Sequence, residues 1–337
     1  MATLCTIPPE LRIEILSRLP DLRSLAAAIF TSRAIYEAFT IARNDVMQRV
    51  LDAEVPLASI TSELELLLPQ DCVGALQDRS SSVRGEALNM LCLYHGFVSA
   101  WCRRFCEETL LELPCQARGP ASPSERLRIQ RAFYRFWALS RAVAASGVQQ
   151  RTASVDSSFA KTYMLRYSLW EIAEITLIYR YIYSKPREWC FYCRTPQMNE
   201  VIRNWFWSDF GGPNSHTVST LALLDLPMLY AVLFAPKSTL CTLEAYILRQ
   251  LGRHRSWEDL FTADRANRDR DPAAFPPRCI CTRRDMPTDE YDACLRATAE
   301  HVGTLSEAAL RGGQVRYDLA LWDDSRLARL GLFLPAV

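Results

Sequence analysis

The sequence predicts an all-α fold, and three observations support that prediction. Apolar residues recur at spacings of three and four along most of the chain, whereas the alternation typical of strands is nearly absent. Clusters of proline, glycine and serine separate these apolar segments, as expected where helices begin and end. The 337 residues are 49% hydrophobic and 23% charged, which favours a sizeable core and two domains. No repeat with a period of 20 to 50 residues is present.

Three short helices are predicted near the amino terminus. Pro8 and Pro9 open the first helix, because proline has no N–H to give to an interior turn, and Pro20 ends it. The candidate caps of the second helix are Asp21 and Ser24, and those of the third are Thr31 and Ser32, since these residue types cap helices well. A unit this small is close to the lower size limit for an independent core, so it gains stability by docking on something else.

The first of these helices is apolar over an unusually wide arc. Leu11, Ile15 and Leu19 lie on one face, while Ile13 and Leu16 fall on another. The two faces together sweep about 200°, against the roughly 100° that a surface helix needs. We expect this helix to bury one face against its own chain and the other against a partner. The alternative is a central helix of one large domain.

The amino-terminal residues also follow a recognisable order. It consists of Ile7-Pro8-x-Glu10-Leu11, Ile15-Leu16, Leu19-Pro20-Asp21-Leu22, Leu25, and Ser32-Arg33 before an aromatic residue. This order resembles the F-box, the adaptor-binding module of Skp/cullin/F-box ubiquitin ligases. Two positions depart from the family pattern: Ile7 stands where leucine is usual, and Tyr36 lies near the place of a missing tryptophan. The closing segment 318–333, together with the helical middle of the chain, is similar to uncharacterised fungal proteins that begin with an F-box.

The resemblance implies a function in protein recognition. Residues 1–45 would dock on a Skp-type adaptor and through it on a cullin, and residues 46–337 would form a larger, non-repeating helical domain that binds an unknown protein substrate. Such a substrate receptor performs no chemistry itself, so no catalytic residue and no cofactor are expected. The sequence leaves open which of the candidate adaptor-binding residues face inward. These candidates are Ile7, Pro8, Leu11, Ile15, Leu16, Leu19, Pro20, Leu22, Leu25 and Ile29.

The rest of the chain is predicted as helices joined by exposed loops. The segment 61–78 indicates two short helices separated by a proline, and 81–113 contains one or two more. A helix after 125 has one apolar face and Ser124 as its cap, and a later helix ends at Lys185-Pro186. The expected exposed loops are rich in polar residues, proline or glycine and lie near 114–125, 147–157 and 264–287.

Charge and hydropathy exclude some partners. The net charge of +1 and a pI near 7.5 argue against nucleic acid as a partner. The longest apolar stretch, 221–235, is shorter than the roughly 20 residues that span a membrane and contains Asp225 and Pro227. The 12 cysteines are scattered over a long chain, which favours reduced thiols and a cytoplasmic or nuclear location.

A different class of function stays open as the alternative. Cys190 and Cys193 have the C-x-x-C spacing of half a zinc site, and Cys279 and Cys281 are candidates for the other half. In that case the chain is an all-α metal-binding or enzymatic protein, and its F-box-like segment is only a folding element. The four histidines are too far apart in sequence to suggest a ligand cluster.

Overall fold

The computed structural model describes residues 7–78, 82–145, 160–192, 225–234 and 321–330. Within these ranges the chain is mostly helical and has no strand, which confirms the predicted all-α class. The buried apolar side chains of the helices form one continuous core that extends from Leu16 to Leu327.

The amino-terminal part contains the three predicted short helices. They are α1 (Pro9–Ser17), α2 (Leu22–Ile29) and α3 (Arg33–Ile41). The Asp21 carboxylate accepts the N–H of Ser24 at 2.6 Å, and the Ser32 hydroxyl accepts the N–H of Ile35 at 3.3 Å. These bonds satisfy backbone donors that the first helical turn leaves free. We call residues 7–41, which comprise the three helices, the N-terminal module.

The helix that follows joins the N-terminal module to the rest of the molecule. This helix, α4 (Arg43–Glu54), contacts α1, α2 and α3 and also the later helix α7 (Arg84–Glu112). Its side chains Val46 and Val50 have no exposed surface. The expected domain boundary between residues 45 and 46 therefore falls inside α4, a helix that packs both on the N-terminal module and on α7.

Two short helices precede α7, as the sequence predicts. They are α5 (Thr61–Leu67) and α6 (Gln70–Gln77), and Pro69 lies between them. The segment expected to hold one or two helices forms a single helix of 29 residues, α7. It contacts α4 and α6 as well as the long helix α8 (Pro123–Ala145). The 114–125 segment is largely a loop, since only a 3₁₀ turn at Cys115–Ala117 precedes α8.

The start of α8 differs from the expectation that Ser124 is its cap. The cap is Ser122, whose hydroxyl accepts the N–H of Glu125 at 3.1 Å while the Glu125 carboxylate accepts the Ser122 N–H at 2.8 Å. This reciprocal pair is a capping box. Ser124 lies inside the first turn because Pro123 already takes the first helical position, which suits a residue without an N–H.

The interior of α8 differs from the one-sided helix that its apolar pattern predicts. Every residue from 128 to 140 is buried, since α5, α7 and the later helix α9 (Leu169–Tyr192) pack around it. Arg128, Arg131 and Arg135 are thus enclosed rather than solvated. Carboxylates on neighbouring elements compensate their charges, as buried charges require.

The later elements complete the described structure. Helix α9 continues through Lys185-Pro186 to Tyr192, so the expected end of this helix at that proline is wrong. Beyond it lie α10 (Leu226–Phe234), with Pro227 in its first turn, and α11 (Asp324–Arg329). The 147–157 and 264–287 segments, which are expected to be loops, lie outside the described residues.

The segment before and within α11 attaches to the start of α8. The Arg326 guanidinium donates to both carboxylate oxygens of Glu125, at 2.8 and 2.9 Å, and to the carbonyl of Pro120 at 2.8 Å. Asp323 accepts hydrogen bonds from Ser124 and from Arg128. Residues about 200 positions apart in sequence thereby fix the loop that precedes α8.

Candidate functional site

The N-terminal module leaves most of its candidate adaptor-binding residues accessible to a partner. Four of these residues are exposed: Pro8, Leu11, Ile15 and Pro20. Four more are half-buried: Ile7, Leu19, Leu22 and Ile29. Leu11 and Ile15 are one helical turn apart and are 54% and 43% exposed, so together they present an apolar strip on the outer face of α1.

Two of the ten candidates, Leu16 and Leu25, do not face solvent, which corrects their assignment to the adaptor surface. Leu16 is 2% exposed and Leu25 is 3% exposed, and both belong to the core. The reason is helical geometry. With Leu11 and Ile15 on the outer side of α1, Leu16 points toward α3 and α4, which pack on the inner side.

The module also exposes apolar residues that the sequence analysis did not select. Phe30, at the turn after α2, is 83% exposed, while Tyr36 and Ile41 on α3 are 52% and 72% exposed. Among the described residues, seven large apolar side chains are exposed, and five of them lie in this module of 35 residues. The sequence predicts the helices that carry these residues, but their exposure depends on how α1, α2 and α3 pack on α4.

The proline segment that leads into α1 is held in place by Arg12. Its guanidinium donates to the carbonyl of Ile7 at 2.8 Å and to the carbonyl of Ala34 at 2.7 Å. The first bond fixes the residues before α1, and the second ties them to the start of α3. Arg12 thereby orders the exposed Pro8 relative to the outer face of α1, which lowers the entropy cost of binding a partner there.

A cleft of about 900 Å³ opens beside the module. The beginning of α2, through Asp21, Leu22 and Arg23, forms one side of this cleft. Residues of α7 and the loop before α8 form the other sides. Gly119 in that loop has φ +144°, a conformation that residues with a side chain rarely adopt. Because α2 forms one side of the cleft and α7 and this loop form the others, the cleft lies between the N-terminal module and the larger helical part.

The floor of the cleft carries a polar cluster centred on Glu54. Its carboxylate accepts a hydrogen bond from Ser99 at 2.7 Å and lies 3.0 Å from the Nε2 atom of His95. Gln130 donates to the same carboxylate at 3.1 Å, and the backbone N–H of Leu22 donates at 3.2 Å. The cluster joins the last turn of α4 to α2, α7 and α8. Sequence reasoning missed this cluster, because its members come from four different helices.

The geometry of this cluster does not match a hydrolytic triad. In such a triad the carboxylate and the serine approach different nitrogens of the histidine. Here Glu54 and Ser99 both contact Nε2, whereas the Nδ1 atom of His95 pairs with the Tyr134 hydroxyl at 3.0 Å. The cluster is therefore better suited to holding helices together than to activating a nucleophile.

The thiols at the cleft are also poorly suited to nucleophilic chemistry. Burial raises the pKa of Cys92 to about 12. The pKa of Cys102 is raised by its hydrogen bond to Cys106 and by burial. Because the thiolate is the reactive form, Cys92 and Cys102 are unreactive at neutral pH. The cysteines whose side chains are described carry free thiols; they are Cys72, Cys92, Cys102, Cys106 and Cys115.

Comparison with family models, with curated proteins and with solved structures found no match for this chain. The assignment of function therefore depends on the geometry described above and on the F-box-like residue order.

The zinc hypothesis falls on the part of the chain that is not described. Cys193, Cys279 and Cys281 lie outside the described residues, and so does the side chain of Cys190. Within the described ranges, no group of three or more potential ligand residues is close enough to hold a metal ion. The helices described also include none with the length and hydropathy needed to cross a bilayer.

Acid should destabilise the protein by protonating three carboxylates, those of Glu54, Glu125 and Asp323. Burial opposes the ionisation of Glu54, but the hydrogen bonds from His95, Ser99 and Leu22 outweigh it and lower the pKa of this carboxyl below its ordinary value. Burial is outweighed in the same way at two other carboxylates. The bonds from Arg326 lower the pKa of Glu125, and the bonds from Ser122 and Arg128 lower the pKa of Asp323. The stability these groups contribute is present above their unfolded pKa values and is lost as the pH falls through the folded ones.

We therefore expect the contribution of these three carboxylates to stay level from about pH 7 to 5, and the melting temperature to fall below about pH 4.5. Circular dichroism melts across this range measure it. A Glu54→Gln variant, which lacks one of these carboxylates, should melt lower at neutral pH and show a shallower acid slope. A melting temperature that is unchanged down to about pH 3 would contradict the expectation.

Proposed function

We propose that this chain is a substrate-receptor subunit of a Skp/cullin/F-box ubiquitin ligase, and that the N-terminal module binds the Skp-type adaptor. The observation that carries the proposal is the concentration of exposed large apolar side chains in α1, α3 and the turn after α2. Exposed apolar surface gathered in one small unit is typical of a protein-interaction site. The F-box-like order of residues 7–36 supports a Skp-type adaptor as the partner.

The outer face of α1 is the centre of the proposed interface. Leu11 and Ile15 stay about half exposed although α1 already uses its inner face to pack on α3 and α4. Burying the exposed remainder of these two side chains contributes about 1 kcal/mol each on the scale of 1.5–3 kcal/mol for full burial. Pro8 and Pro20, at the two ends of α1, add rigid apolar surface without loss of side-chain entropy.

The larger helical part, from α4 onward, is proposed to present a protein substrate to the ubiquitin-conjugating enzyme that the cullin holds. In this function the chain positions its partners and contributes no catalytic residue. The geometry at Ser99 and His95 and the raised pKa values of Cys92 and Cys102 support that reading. A cytoplasmic or nuclear location follows from the proposed ligase.

Adaptor capture tests the proposal. The doubly substituted chain Leu11→Asp/Ile15→Asp should lose at least about tenfold in recovery of a purified Skp-type adaptor, because two carboxylates would enter an apolar interface. Its melting temperature should change little, since both residues are at the surface. Leu93→Asp is the matched control, because Leu93 is 60% exposed on α7, outside the module, and its substitution should leave capture intact.

Two results would count against the proposal. One is failure of the unsubstituted chain to retain adaptor, and the other is equal capture by the double variant and the control. Leu16→Asp is unsuitable for this experiment, because Leu16 is in the core and its loss would unfold the module rather than alter its surface.

A further inference from the structure

The mouth of the cleft beside the N-terminal module carries an excess of positive charge. Arg23, Arg103 and Arg126 line it, and all three are exposed. None of them forms an ion pair with another residue in the ranges that the structure describes. Arg118 also lines the cleft and uses its Nε atom to donate to the carbonyl of Leu113.

The acidic residues of the cleft offset these arginines only in part, because four arginines and three carboxylates line it. Asp21 accepts the N–H of Ser24 as the cap of α2, and Glu54 is held in the cluster on the floor. Glu107 is the third acidic residue of the lining, and it lies one turn from Arg103 without an ion pair among the described residues. At the exposed mouth four arginines therefore lie near one exposed carboxylate, which favours a negatively charged ligand.

The interior of the cleft has a different chemistry from its mouth. Cys102, Cys106 and Leu110 of α7 form apolar walls. The Ser99 hydroxyl and the Gln130 amide lie on the floor, where both donate to Glu54. A volume of about 900 Å³ is within the range of about 300–1,000 Å³ found for specific ligand sites. Apolar walls with a few polar groups are typical of such sites.

We propose that the cleft binds an extended acidic segment of the protein substrate, with an apolar side chain against Leu110 and carboxylates at Arg103 and Arg126. The proposal rests on the proposed function for the identity of the ligand as a ubiquitination substrate. Nucleic acid fits less well, because the walls are apolar and the whole chain has a net charge of only +1. The location beside α2 would place the bound segment next to the adaptor-binding module.

The binding experiment uses the full chain without adaptor, so that its outcome is independent of adaptor capture. The probe is a fluorescein-labelled peptide in which one leucine is flanked by aspartates on both sides, and fluorescence anisotropy measures its affinity. We expect saturable binding that weakens with added salt. Arg103→Glu/Arg126→Glu should weaken it at least about tenfold.

The matched control is Arg33→Glu/Arg180→Glu, which changes the net charge equally at two exposed arginines outside the cleft. This control should bind the probe like the unsubstituted chain, and circular dichroism melts should show both variants folded. Equal weakening by both double variants would mean that only overall charge matters and would overturn the proposal. So would absence of saturable binding, or equal affinity for a peptide with lysines in place of the aspartates or for a single-stranded oligonucleotide.

Loss of probe binding and loss of adaptor capture are separate results. If the adaptor is captured but the peptide does not bind, the cleft proposal fails and the adaptor proposal stands. If the peptide binds but no adaptor is captured, the cleft is a peptide site in a protein that is not a ligase subunit.

Discussion

Replacement of Arg135 by methionine should lower the free energy of unfolding by about 3–5 kcal/mol. Arg135 is buried in the middle of α8, where its guanidinium donates to Glu174 at 2.6 Å and to Glu171. Glu63 of α5 lies 3.9 Å from its Nε atom. Methionine fills a similar volume but leaves these carboxylates without the cation that compensates them, and an uncompensated buried charge is expensive.

Chemical denaturation at neutral pH measures this loss. Arg33→Met is the matched control, because Arg33 also pairs with a glutamate but its side chain is 92% exposed. Solvent screens such a pair, so its removal should cost at most about 0.5 kcal/mol. Adding Glu171→Gln to Arg135→Met should recover part of the loss, since it removes one of the stranded charges. Equal effects of Arg135→Met and Arg33→Met would show that the α8 cluster is not buried as described.

The penalty for Arg135→Met should also depend on pH. Burial already raises the pKa of Glu174, although the charges of Arg135 and Arg131 oppose that effect. Without Arg135 the pKa of Glu174 should rise further, and protonation then relieves the stranded charge. A group with a raised folded pKa loses stability as the pH rises, so the penalty should be smaller near pH 5 than near pH 7.5.

The N-terminal module was the most predictable part of the fold, because local signals determine it. Pro8 and Pro9 at the start of α1, Pro20 three residues after its end, and caps at Asp21 and Ser32 define the three helices from neighbouring residues alone. The same signals place Pro69 between α5 and α6. What they could not determine was the side of α1 that faces the core. That depends on α4, which packs against it from more than 25 residues away in sequence.

The errors in the larger part come from contacts that no local pattern records. Arg131 and Arg135 look like the solvated face of an amphipathic helix until α9 brings Glu171 and Glu174 against them, and Arg128 looks so until Asp323 pairs with it. Pro186 looks like the end of a helix, although α9 continues through it. The cluster at Glu54 and His95 escaped notice for the same reason, since isolated acidic and histidine residues have no signature in sequence.

Trp101→Ala should be the most damaging of the substitutions in the apolar core, with a loss of about 3–5 kcal/mol in the free energy of unfolding. The Trp101 side chain on α7 has no exposed surface and packs against the rings of Phe133 on α8 and Tyr181 on α9. It also reaches Phe234 of α10 and donates its indole N–H to the carbonyl of Leu226 at 3.3 Å. One side chain thus joins four helices, and alanine leaves a cavity between all of them.

Loss of Trp101 should affect α10 more than the other helices, because α10 is short and relies on α7 for much of its packing. Limited proteolysis should therefore cut the Trp101→Ala variant near residues 225–234 before it cuts α8. Trp101→Phe is the matched control, since it keeps an aromatic ring in the cavity but cannot donate to Leu226, and it should lose substantially less stability. Equal free energies of unfolding for the alanine and phenylalanine variants would contradict the packing of α10 on α7 around Trp101. Because the N-terminal module packs on α4, whereas α10 packs on α7 and α9, the proposed adaptor capture should persist in the alanine variant at temperatures where it remains folded.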